Sequence, residues 1–131
     1  MPWFVARAAA VRALPDLAVK VVVLAEDPRG SGKRLELQRS LETDERDEAL
    51  GLDTCCLVVE SGATHYGGIR AWRIVDRCLL LRLDERAAAG LGAPSDLKID
   101  LFLDDAVSAA VEEGIREVLK MEPVSGGSSG C

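Results

Sequence analysis

Seven stretches with strand character precede the chain's one long helical stripe, and that order limits the fold more than any single residue does. The stretch "LAVKVVVLAED" (17–27) places Val19, Val21 and Val23 on one face and Val22 and Leu24 on the other, as in a strand covered on both sides. "RLELQRSL" (34–41) alternates instead, with Leu35, Leu37 and Leu41 facing one way and Glu36, Gln38 and Ser40 the other. "TCCLVVE" (54–60) and "GIRAWRIVD" (68–76) flank "SGATHYG", which reads as a hairpin loop. "RCLLLRLD" (77–84) follows so closely that a tight turn at Asp76-Arg77 is expected. In "DLKIDLFLD" (96–104), Leu97, Ile99, Leu101 and Leu103 oppose Lys98, Asp100 and Phe102, a strand with one core face and one wet face. The weakest strand candidate is "WFVARAAAV" (3–11), because alanine does not favour strands.

Two helices are expected. "DERAAAGLG" (84–92) is short, with Asp84 as its N-cap and glycines plus Pro94 ending it. The longer one runs from about Asp105 to Met121, and its stripe of Val107, Ala110, Val111, Gly114, Ile115, Val118 and Leu119 is one helical face. Asp104 and Asp105 stand at its positive end and Lys120 at its negative end, as the helix dipole favours. Consecutive strands with the main helix last predict an α+β domain: a mostly antiparallel β-sheet with a C-terminal amphipathic helix packed on one face. Residues 1–122 read as a single globular domain and 123–131 as a flexible Gly/Ser tail.

Size and composition agree: 131 residues, 48% hydrophobic and 29% charged, suit one folded core. No apolar run is long enough to span a membrane, and the N-terminus lacks the basic start and clean apolar core of a signal peptide. A cytoplasmic location is the expectation. The net charge of −6 argues against nucleic acid as a partner, since phosphate binding needs a basic face.

That charge is concentrated. From Glu42 to Asp53 there are six acidic residues (Glu42, Asp44, Glu45, Asp47, Glu48, Asp53) against one basic residue, Arg46. Such a segment is either a solvated loop or a surface for a basic partner. If "TDERDEALG" forms a helical turn anchored by Ala49, Leu50 and Leu52, its carboxylates are held outward on a fixed frame, which steers a partner at lower entropic cost. Alternatively, Asp44 or Asp53 pairs with Arg39, which lands on the apolar face of its strand and needs a counter-charge.

Little else suggests chemistry. The chain has no nucleophile elbow, P-loop or dinucleotide glycine fingerprint. Its acidic segment lacks the order and turning glycine of a calcium loop. The cysteines (Cys55, Cys56, Cys78, Cys131) make no zinc pattern and read as small packed residues in a reduced protein. No cofactor or metal is expected. His65 is the single histidine; a base acting on a cysteine is one reading, and a surface or structural residue is the blander one. Tyr66, with the glycines after it, offers a ring with a polar tip suited to packing or contact. Trp72 reads as core.

Taken together, "LELQRSLETDERDEALGLDTCCLVVE" and "ATHYGGI" resemble the immunity protein 10 family of bacterial polymorphic toxin systems. In that family an L-Q-R-S strand leads to an acidic D-E-x-D-x-A-L-G-x-D-T segment, then to a strand and a Y-G-G turn. Those features fall here at Leu37 to Ser40, Asp44 to Thr54 and Tyr66 to Gly68, and "LRLDERAAAGLGAPSDLKIDL" (81–101) matches as strand, short helix and strand. The resemblance covers about residues 3 to 120. It implies a mostly β, non-catalytic protein that binds and neutralises a cognate toxin, with a basic nuclease as one kind of toxin an acidic segment would suit. The partner-contact candidates are Glu42, Asp44, Glu45, Asp47, Glu48 and Asp53, with His65 and Tyr66 as a secondary patch. Rival readings are a small enzyme using His65 with a cysteine and a structural module that dimerises through a sheet edge; monomer and homodimer both stay open.

Overall fold

The computed structural model describes residues 2–14, 19–29, 31–40 and 55–124. Within them the strands are β1 (Phe4–Ala6), β2 (Ala8–Leu14), β3 (Val19–Ala25), β4 (Arg34–Ser40), β5 (Cys56–Val59), β6 (Thr64–Tyr66), β7 (Ile69–Val75), β8 (Cys78–Leu83) and β9 (Asp96–Leu101). The helices among the described residues are α1 (Glu85–Leu91) and α2 (Asp105–Leu119). The domain is α+β, mostly antiparallel, with a C-terminal helix. Its strands form two sheets where the sequence suggested one: a four-stranded sheet ordered β1-β9-β8-β7 and a five-stranded sheet ordered β2-β3-β4-β5-β6. The β1–β9 pair is parallel.

The N-terminal stretch causes the division. It leaves the first sheet at Ala6, whose carbonyl accepts from Phe102 N–H at 3.0 Å, and joins the second where Arg7 N–H donates to the Ala25 carbonyl at 2.9 Å. The alanines that made 3–11 a poor strand candidate on propensity fill β2, where pairing with β3 overrides that preference. "SGATHYG" also differs from expectation. Its middle forms the short strand β6, paired with β5 through Leu57↔His65 and Cys56↔Tyr66. Three residues between glycines carry no readable alternation.

Elsewhere the local signals act as expected. Asp76 and Arg77 take left-handed φ values of 49° and 64° between the paired Val75 and Cys78, the twist a two-residue hairpin turn needs. Asp84 Oδ1 accepts from Ala87 N–H at 2.8 Å to start α1, and Asp104 Oδ1 accepts from Val107 N–H at 2.8 Å to start α2. Helix α2 buries Val111, Gly114, Ile115, Val118 and Leu119 against β2, β3 and β4. Close approach there requires Gly114: a Cβ at that position would sit 2.9 Å from Val11 Cγ1 and 3.0 Å from Val22 Cγ2.

Arg39 also serves this contact. Its guanidinium donates to the Val118 carbonyl and, at 3.4 Å, to the Leu119 carbonyl, so a cation stands at the negative end of the helix. The chain after α2 turns back onto the other sheet. Trp72, 1% exposed on β7, donates Nε1–H to the Met121 carbonyl at 2.7 Å, and its own carbonyl accepts from Val124 N–H at 2.9 Å. The buried apolar side chains of both sheets and both helices form one connected core cluster.

Candidate protein–protein interface

The acidic candidates Glu42, Asp44, Glu45, Asp47, Glu48 and Asp53 lie outside the described residues. Their flanks are placed. β4 ends at Ser40 and β5 begins at Cys56 beside it, in the register Gln38↔Cys56, so both ends of the connection meet the same end of the five-stranded sheet. Tyr66 pairs with Cys56 at that end and is 50% exposed, which puts its ring beside the point where the connection rejoins the sheet.

His65, its neighbour on the edge strand, points the other way. The side chain is half-buried, Nδ1 lies 3.3 Å from the Gly67 carbonyl, and the ring covers Gly90 of α1, where a Cβ would come within 3.3 Å of Cδ2. Because neighbouring residues of a strand alternate sides, the two members of the secondary patch occupy different faces. Tyr66 meets solvent, while His65 fills the seam between the sheet and α1.

The thiols are tuned away from nucleophilic chemistry. Burial pushes the Cys55 thiol up to about 12, partly offset by the Arg39 cation, and burial raises Cys56 as well, with Tyr66 opposing. An activated nucleophile needs the opposite shift. Cys55 and Cys56 are free thiols. Cys78 departs from the reduced reading: it stands on the side of β8 opposite core residue Leu79, is 1% exposed, and is disulfide-bonded. Among the described residues no group of three or more His, Cys, Asp or Glu side chains could hold a metal ion, and no helix is long and apolar enough to cross a membrane.

A second surface was not legible in the sequence. On the outward side of the four-stranded sheet the register aligns Arg73 with Leu80 and Leu80 with Lys98 in one row, and Ala71, Arg82 and Asp96 in the next. These residues line a depression of about 530 Å³, adjoined by another of about 590 Å³ that shares Arg82 and Asp96 and adds Arg70 and Arg86. The cations come from three strands and a helix, so only pairing collects them. A bulge between Ile69 and Ala71 matters too, because it places Arg70 in the open while Trp72 stays buried.

No curated protein and no solved structure matches the chain. The family profile described as Immunity protein 10 matches residues 5–110, most of the 131-residue sequence, and the chain therefore belongs to that family.

Proposed function

We propose that this chain binds and neutralises a cognate bacterial polymorphic toxin by stoichiometric protein–protein contact, in the cytoplasm of the cell it protects. The family match over residues 5–110 carries this reading. The cysteine environments favour binding over catalysis, since Cys55 and Cys56 are both held further from the thiolate than an exposed thiol would be. In this reading residues 1–122 are a single domain, in keeping with a core cluster that, among the described residues, draws on both sheets, α1 and α2.

The acidic segment is proposed to steer a basic toxin surface, such as a nuclease cleft, toward the exposed Tyr66 end of the five-stranded sheet. Combined charge reversal at Asp44, Glu45 and Asp47 is expected to weaken binding of the cognate toxin domain by about tenfold or more. Most of the loss should fall on the association rate, and it should shrink as salt is raised. Stopped-flow association at low and high ionic strength measures both. Tight wild-type binding together with an unchanged variant rate at low salt would remove the segment from the interface and leave the immunity role standing.

A further inference from the structure

We propose that the two adjoining depressions on the outward face of the four-stranded sheet dock a carboxylate-rich segment of the same toxin partner. The proposal rests on the immunity reading and names a contact of the opposite sign to the acidic segment. In a chain of net charge −6, these depressions carry five cations: Arg70, Arg73, Arg82, Arg86 and Lys98. Three carboxylates share the lining, and two of them are already engaged. Asp84 caps α1, and Asp96 Oδ1 lies 3.2 Å from Arg82 Nε. Among the described residues Arg70, Arg86 and Lys98 make no ion pair.

The floor is apolar where the row Arg73–Leu80–Lys98 crosses the sheet, with Ala71 beside it. An apolar centre with a charged rim is the pattern of a protein contact. An acidic polypeptide segment fits it, with an aliphatic side chain over Leu80 and carboxylates toward Lys98, Arg70 and Arg86. Single-stranded nucleic acid fits less well, because the one indole of the lining, Trp72, is 1% exposed and offers no face for a base. The chain's own last residues, "SGGSSGC" (125–131), supply no acidic side chain. Contacts of both signs on one partner fix its orientation as well as speed its approach.

The test is the affinity of the full chain for the cognate toxin domain, measured for wild type, Arg70→Glu/Arg86→Glu and Lys98→Ser. The double variant changes two exposed side chains, and the serine variant checks the same surface without charge reversal. With thermal unfolding unchanged, the double variant is expected to raise Kd by at least about tenfold and Lys98→Ser by several-fold. Tight wild-type binding with both variants unchanged overturns this proposal and leaves the immunity reading intact. Absence of wild-type binding removes the reading itself, and this proposal with it. Binding of a single-stranded RNA oligomer, lost in the double variant while toxin affinity is kept, assigns the face to nucleic acid and also overturns the proposal. So does a wild-type homodimer that the double variant dissociates, since the acidic segment of a second copy would then be the occupant.

Discussion

Replacing Trp72 with alanine is expected to destabilise the protein by about 3–5 kcal/mol, a large share of the roughly 5–15 kcal/mol typical of a whole domain. Two losses combine. The indole is 1% exposed in the core cluster, so its removal leaves a cavity the surrounding strands fill only in part. The Nε1–H bond to the Met121 carbonyl at 2.7 Å also disappears, leaving the Val124 N–H bond to the backbone carbonyl of residue 72 to tie the stretch after α2 to the four-stranded sheet. Trp72→Phe separates the two, because it retains most of the ring volume and gives up the hydrogen bond, for a cost of about 1–2 kcal/mol beyond the smaller ring. Urea unfolding measures both variants. A loss below about 1 kcal/mol for the alanine variant would show that the indole is not packed as described.

The second large effect belongs to Gly68, at the turn where β6 passes into β7. Its φ is +91°, and a Cβ there would lie 2.5 Å from Ala87 Cβ, 3.3 Å from Asp84 Oδ1 and 3.4 Å from His65 Cε1. Its carbonyl is held by Asp84 N–H at 2.8 Å, so the turn cannot easily back away from α1. Gly68→Ala combines backbone strain of about 1–2 kcal/mol with overpacking of about 1–3 kcal/mol, an expected total of about 2–5 kcal/mol. Gly62 is the control. Its φ is +90° but nothing lies within 4 Å of the Cβ position, so Gly62→Ala carries the backbone cost alone. Equal losses at the two positions would contradict the close seam between this turn and α1.

That seam also shows what pattern alone can and cannot reveal. The Y-G-G turn was visible as glycines, and Asp84 was visible as a cap. That the two meet across His65 depends on tertiary placement of α1 against β5, β6 and β8. Alternation in 96–104 reported the core face of β9 correctly: Leu97, Ile99 and Leu101 are buried, while Asp96 is exposed, Lys98 and Asp100 are half-buried, and Phe102 just past the strand is 68% exposed. Arg39 was visible as a misplaced cation on an apolar face. The carbonyls that receive it belong to residues about eighty positions away, at the end of α2. The division into two sheets was hidden for a similar reason, since the crossing at Arg7 depends on acceptors supplied by Ala25 and donors supplied by Phe102.

The candidate interface divides the same way. Clustered carboxylates between Glu42 and Asp53 are contiguous in sequence and announce themselves. The cationic surface is assembled from β7, β8, β9 and α1, and its members are spread singly along the sequence. Each looks like an ordinary solvated arginine or lysine until the register Arg73↔Leu80↔Lys98 sets them side by side. The bulge that moves Arg70 off the face of Trp72 has no sequence signature of its own.

Function follows if a molecule with these surfaces acts by occupying its partner. The most direct measurement is a titration of the purified toxin domain with this chain while the toxin's own reaction is followed. Toxin activity is expected to fall linearly and vanish at one chain per toxin molecule, with no further loss over time. Complete suppression by a small fraction of an equivalent, growing with incubation, would mean that the chain turns over a substrate and would contradict stoichiometric binding.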